Sequence, residues 1–116
     1  MSKRNNFLLL TDILEAIDNI EEYLQNMTED EFYNDKKTKD AVVRNIEIIG
    51  EASNQITADY KLSNPRVEWR EAADLRNRLI HNYSGLDYVL LWEIIHLNIP
   101  SFKQKIQVLV KTFKTE

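Results

Sequence analysis

Residues 76–83, which read RNRLIHNY, combine side-chain types that are well suited to acting on a phosphodiester. Arg76 is permanently charged and can hold two phosphate oxygens in its planar fork. His81 titrates near neutral pH and can take up or release a proton. An arginine and a histidine suffice for RNA transesterification, in which the ribose 2′-OH attacks the adjoining phosphate and a cation stabilises the transition state. The segment is therefore a candidate catalytic site.

The spacing of Arg76 and His81 leaves a purely structural interpretation open. Five residues on an ideal helix correspond to a rotation of about 140° and a rise of about 7.5 Å, so the two side chains can border one cleft without sharing a face. A histidine near a helix C-terminus is also favoured by the helix dipole, by about 0.3–1 kcal/mol. Arg76 and Arg78 are equally compatible with an ordinary surface, and Tyr83 with packing over the helix end.

The composition predicts one helical domain over residues 1–116. The chain has 116 residues, a net charge of -4 and 43% hydrophobic residues, which suits one packed core. It has no Cys and two His, which excludes a disulfide scaffold, a zinc ribbon and a thiol nucleophile. Two Gly and two Pro argue against a turn-rich β fold or a Gly-rich phosphate loop. We therefore expect neither a bound metal nor a cofactor.

Charge is distributed unevenly along the chain. Residues 1–58 hold 6 Lys and Arg against 12 Asp and Glu, whereas residues 59–116 hold 9 against 7. The acidic total argues against indiscriminate nucleic-acid binding, but the mildly basic second half contains the candidate site.

An apolar run at residues 7–10 is interrupted by Asp12 and Glu15. We accordingly expect no signal peptide, no membrane span and a cytoplasmic location.

Apolar residues at three- and four-residue steps predict an up-and-down bundle of four to five helices. We expect long helices at residues 7–27 and 36–57, a third from residue 68 or 69 to about 81, and two more at 88–97 and from 99 onward. Thr28 and Glu31 have the spacing of a capping box, and Asp87 is a candidate N-cap. The sequence Ser63-Asn64-Pro65 marks a turn, and Asn98-Ile99-Pro100 a kink or short break.

Two further features bear on packing. Gly50 lies inside the second long helix, where it either admits a neighbouring backbone or is a tolerated weak point that costs about 1 kcal/mol relative to Ala. Residues 88–92, which read YVLLW, are apolar around most of a helix circumference. Such a helix needs cover on more than one side, which either a second subunit or the rest of the same chain provides.

The pattern Arg76-Asn77-x3-His81-x-Tyr83 resembles the R-x4-H-x-Y motif of the HepT toxins in the HEPN superfamily of helical ribonucleases. The resemblance extends from Asp12 to about Ile106. Residues 48–52, which read IIGEA, resemble the family's second-helix signature. Other matching positions are Trp69, the segment 75–83, Asp87, Trp92 and the corner at Ile99-Pro100. Glu68 departs from the pattern, since a proline is expected before the tryptophan.

This resemblance implies an all-helical homodimer in which the R-x4-H motifs face each other across a cleft. It implies a metal-independent endoribonuclease, the toxin of a toxin–antitoxin pair. The partner would be a minimal nucleotidyltransferase antitoxin that attaches AMP to the motif tyrosine, which is Tyr83 here. Arg76 would bind and stabilise the scissile phosphate, and His81 would be the general acid and base. Asn77 would orient the site or the RNA.

A bulky anionic AMP beside Arg76 and His81 would block the cleft and repel RNA. Glu51 is a candidate supporting partner for Arg76 or Arg78. Two other hypotheses remain at this stage. The chain could be a non-catalytic HEPN binding subunit that pairs with a nucleotidyltransferase, or a purely structural helical dimer.

Overall fold

The computed structural model describes residues 5–80 and 85–115, with side chains described as far as Phe113. His81, Asn82, Tyr83 and Ser84 therefore lie outside the described residues. Within these ranges the fold is all-α, as predicted. The helices are α1 (Asn6–Tyr23), α2 (Glu29–Tyr33), α3 (Lys36–Gln55), α4 (Ala58–Ser63), α5 (Trp69–Ala73), α6 (Leu75–Leu79), α7 (Tyr88–Glu93), a π-helical segment (Ile94–Asn98) and α8 (Ile99–Thr115).

Helix α1 packs along α3 on one side and α8 on the other, and the core lies between these helices. Helix α1 ends at Tyr23, four residues before the predicted end, and Asn26 beyond it has a positive φ of 61°. Most of its predicted apolar stripe is buried, with Ile13, Ile17 and Ile20 inaccessible to solvent. From α8, Phe102 and Ile106 enter the same core. Lys103 on α8 adds ion pairs to Glu21 and Asp18 of α1, at 2.7 and 3.3 Å. None of the helices in the described ranges is long and apolar enough to span a membrane.

The predicted helix caps are present. The Thr28 hydroxyl accepts from the Glu31 N–H while the Glu31 carboxylate accepts from the Thr28 N–H, which completes a capping box at α2. The Asp87 carboxylate accepts from the Leu90 N–H at 3.0 Å and starts α7. Phe32 of α2 is fully buried and packs against Tyr88 and Trp92, so this short helix covers one side of α7.

The third predicted helix differs from the prediction in two ways. It is interrupted at Asp74, which divides it into α5 and α6, and it ends at Leu79 instead of near His81. Ile80 is extended and forms an isolated antiparallel bridge with Leu86. The Asp87 N–H donates to the Leu79 carbonyl at 2.8 Å and so occupies a carbonyl at the helix end. The helical geometry from which the relation of Arg76 to His81 was expected therefore stops at Leu79.

Two other segments are more helical than the sequence indicates. Helix α4 occupies part of the expected loop; Thr57 caps it, but it has no buried residue and hence no apolar periodicity to reveal it. At the expected break the chain stays helical in π form, and the Ile99 N–H donates to the Ile94 carbonyl five residues back. Pro100 explains this widening, because proline has no N–H and its ring crowds the carbonyl four residues earlier.

Gly50 lies where α3 meets α5. A Cβ atom built on it would lie 3.4 Å from the Ala73 carbonyl oxygen and 3.5 Å from that of Ala72. These are backbone atoms of the neighbouring helix, which agrees with the close-approach interpretation of this glycine. The space accepts one methyl group at ordinary contact distance.

The effect of a substitution at Gly50 on stability should therefore depend on the size of the new side chain. Gly50→Ala should leave the free energy of unfolding unchanged or raise it by up to about 1 kcal/mol, because the methyl group fits and alanine favours the helix. Gly50→Leu should lower it by about 1–3 kcal/mol through overpacking against α5. Urea denaturation measures both, with the exposed Gln55→Leu on the same helix as the control. A Gly50→Leu protein as stable as the parent would contradict the close contact.

Candidate functional site

Arg76 projects from α6 and is held by an acidic residue of α3. Its Nε atom lies 3.0 Å from Glu47 Oε2, and the Arg76 side chain is 55% exposed. A pair this open to solvent contributes at most about 1 kcal/mol to stability, so its main effect is to orient the guanidinium. An oriented and exposed guanidinium is suited to binding an anion such as a phosphate group.

The neighbours of Arg76 on α6 point in different directions. The Asn77 Nδ2 group donates to Asp74 Oδ1 at 2.7 Å, so this amide is held at the junction of α5 and α6. Arg78 lines a separate groove with Glu71 and Asn98, away from Glu47. The structure thus brings Arg76 and Asn77 to the α3 side and places Arg78 on the other.

Glu51, the supporting residue expected from the sequence, lines the same groove as Arg76, together with Glu47 and Ala73. The ion-pair partner of Arg76 in the described residues is Glu47, one helical turn earlier on α3. Glu47 was not among the residues expected from the sequence. A usable signal was its position four residues before Glu51, which places both carboxylates on the same face of a helix.

The segment that carries His81 and Tyr83 is bounded by two anchored ends. Ile80, which precedes the segment, forms a bridge with Leu86, which follows it. Next to this bridge, the Asp87 N–H donates to the Leu79 carbonyl. Gly85 has a φ of 88°, in the left-handed region that glycine adopts without a steric cost. Arg76 is thus separated from the segment 81–84 by one helical turn and one bridged residue.

No group of three or more His, Asp or Glu side chains in the described ranges is arranged to hold a metal ion. The polar groups that the structure does place here are the Arg76 guanidinium, the Glu47 carboxylate and the Asn77 amide. This set can bind and orient an anionic group. Proton transfer would have to come from His81, which lies outside the described residues.

Comparisons with known proteins all point to ribonucleases. The model of a family described as ribonuclease HepT-like matches residues 13–109. A candidate RNase of Methanocaldococcus jannaschii is 43% identical over 108 residues, covering 93% of this chain and 99% of its own length. A probable ribonuclease HepT of Thermococcus cleftensis is 46% identical over 109 residues, 94% of this chain and 99% of the relative. A second candidate RNase of M. jannaschii is 38% identical over 116 residues, the whole of this chain and 96% of the relative. No solved structure matches.

Proposed function

Since this chain belongs to the HepT-like ribonuclease family and is an endoribonuclease of the HEPN type, we propose that residues 76–83 are its catalytic segment. The observation that carries the proposal is the family match over residues 13–109, which includes the entire R-x4-H-x-Y stretch. The exposed guanidinium of Arg76, which is the first residue of that stretch and is held by Glu47, supports it. We further propose that residues 1–116 are one domain acting in the cytoplasm.

The reaction is a metal-independent transesterification. His81 takes the proton from the 2′-OH, and the 2′ oxygen forms a bond to the neighbouring phosphorus. Arg76 stabilises the added negative charge on the phosphoryl oxygens. The bond to the 5′ oxygen breaks, and a protonated His81 supplies the proton of the leaving group. The products are a 2′,3′-cyclic phosphate and a 5′-hydroxyl. Asn77 orients the RNA or the site, and Glu47 and Glu51 support the position of Arg76. Arg78, also expected to support the site, lies in a separate groove on the other side of α6.

A homodimer would place two such segments across one cleft, so that one His81 acts as base and the other as acid. Three large, exposed apolar side chains between positions 80 and 97 support this assembly. Ile80 is 44% exposed, Val89 54% and Leu97 75%. Val89 belongs to the stretch 88–92 for which the sequence predicts additional cover, and a second copy would remove this apolar surface from water.

Regulation by a minimal nucleotidyltransferase antitoxin completes the proposal, with this chain as the toxin. AMP attached to the Tyr83 hydroxyl would add a phosphate charge and a bulky nucleoside seven residues after Arg76 in the RNRLIHNY segment. Arg76 would then pair with that phosphate in place of substrate, and RNA would be repelled.

Purified protein should cut single-stranded RNA in excess EDTA. His81→Ala and Arg76→Ala should each lower kcat/KM by at least about 100-fold, because general acid–base catalysis alone contributes about 10²–10⁴-fold. A gel-based cleavage assay with labelled RNA measures this, alongside a thermal melt for each variant.

Matched controls are available in the same chain. His96 is the other histidine; it is exposed, and its Nδ1 contacts the Trp92 carbonyl at 2.8 Å. Arg66 is an exposed arginine in the loop after α4. His96→Ala and Arg66→Ala should cut RNA at the parental rate. Undiminished cleavage by a folded His81→Ala protein would overturn the assignment, and RNA inactivity with tight nucleotidyltransferase binding would favour the non-catalytic alternative.

The proposed attachment of AMP to Tyr83 is tested by measuring the mass of the intact protein. Protein incubated with a partner nucleotidyltransferase and ATP should gain one or more AMP units in intact-mass spectrometry and lose its RNA cleavage. Tyr83→Phe should gain no AMP, because it lacks the acceptor hydroxyl, and should stay active in the presence of the partner. AMP on Tyr83→Phe at the parental level would contradict the assignment of this tyrosine.

A further inference from the structure

Two adjoining depressions lie beside α3, and Asn54 and Ala73 line both of them. The first, which we call the proximal half, also contains Arg76, Glu47 and Glu51. The second, which we call the distal half, also has Lys61 of α4 in its lining. We call the two adjoining depressions together the α3–α5 groove.

The distal half of the groove is positive. It contains Arg70 and Lys61 against a single carboxylate, Asp74, which already accepts a hydrogen bond from Asn77. Neither Arg70 nor Lys61 takes part in an ion pair within residues 5–80 and 85–113. Two cations without acidic partners in this part of the molecule, in a chain whose net charge is -4, are a local exception to its overall charge.

The distal half lies where an RNA strand bound at Arg76 could continue. Arg70 precedes Arg76 by six residues on consecutive helices, which corresponds to about 9 Å of helix rise. The hydrogen bonds continue across the junction, from the Asp74 N–H to the Arg70 carbonyl and from the Arg78 N–H to the Asp74 carbonyl. This continuity keeps α5 and α6 in a defined relation, so the distance from Arg70 to Arg76 is set by the fold.

The side chains of the distal half suit the RNA backbone better than its bases. Trp69 lines it but is only 6% exposed, and its indole N–H donates to the Asn64 carbonyl at 3.0 Å. Its ring is packed edge-on against Tyr60, so no open aromatic face is available there for stacking a base. Contacts to phosphate place a strand without reading its sequence.

We propose that the distal half of the α3–α5 groove is a binding subsite for the RNA strand flanking the scissile phosphate, in which Arg70 and Lys61 contact a neighbouring phosphate. The proposal rests on the function proposed above, since it takes Arg76 as the position of the scissile phosphate. It assigns to these two residues a role in binding and none in the chemical step.

Arg70→Gln and Lys61→Gln test this subsite. Each should raise KM for cleavage of single-stranded RNA about tenfold while kcat stays within about twofold, because each removes a charged contact made equally before and during the reaction. Affinity for an oligonucleotide with 2′-deoxy sugars, which 2′-OH attack cannot cut, should fall in parallel when measured by fluorescence anisotropy. Its salt dependence, log Kd against log salt, should lose about 0.7 in slope per variant.

Two control variants test whether RNA binding depends on the cations of the groove or on the total positive charge of the protein. Arg66→Gln removes an arginine charge outside the groove, and Lys37→Gln removes a lysine charge near the start of α3, about 25 Å along that helix from Asn54. Both should bind and cut as the parent does. Melting temperatures should not change for any of the four variants, because Arg70, Arg66 and Lys37 are exposed and Lys61 is half-buried at the surface.

The outcomes distinguish the two proposals. Parental cleavage with unchanged KM and salt slope in both Arg70→Gln and Lys61→Gln would overturn the subsite and leave the catalytic assignment standing. A parent that cannot cut RNA, but whose oligonucleotide affinity and slope still fall in these variants, would overturn the catalytic assignment and leave Arg70 and Lys61 only as contacts to a nucleic-acid backbone. Weakened binding of a nucleotidyltransferase with unchanged oligonucleotide affinity would show a protein-docking groove and overturn the subsite.

Discussion

The contact of α3 with α5 and α6 is the constraint on which the site depends. The glycine at position 50 lets the carbonyls of Ala72 and Ala73 lie against α3. One turn away on α3, Glu47 holds the guanidinium of Arg76. The first contact fixes the distance between the helices, and the second fixes the direction of the arginine. A larger residue at position 50 would change both, because α5 and α6 are hydrogen-bonded through Asp74.

The same arrangement explains how an acidic protein can act on a polyanion. The net charge of -4 disfavours indiscriminate nucleic-acid binding, and the acidic excess lies in the first half of the chain. Arg76 and the distal cations Arg70 and Lys61 instead line two adjoining depressions. Binding would then depend on a few placed charges, and the proposed AMP on Tyr83 would oppose it with a negative charge of its own.

Local signals predicted much of this structure. The 3.6-residue period identified α1 and α3, and the Thr28 and Asp87 caps are encoded within four residues of the helix starts. The end of α6 at Leu79 was not predictable in this way, because it depends on the Ile80–Leu86 bridge and on an N–H from Asp87. The partner of Arg76 was likewise missed, since nothing in the sequence distinguishes Glu47 from Glu51 before α3 and α6 are packed together. The roles of His81 and Tyr83 remain predictions, as these residues lie outside the described ranges.

The chemistry of the cut ends is the most direct test of the central claim that this chain's own side chains promote attack by the ribose 2′-OH. The measurement is mass spectrometry of the fragments from a defined RNA cut by the purified protein in excess EDTA, with a copy carrying 2′-deoxy sugars as the comparison. Our account predicts 2′,3′-cyclic phosphate and 5′-hydroxyl ends, and no cutting of the 2′-deoxy copy. Fragments with 3′-hydroxyl and 5′-phosphate ends, or equal cutting of the 2′-deoxy copy, would contradict it.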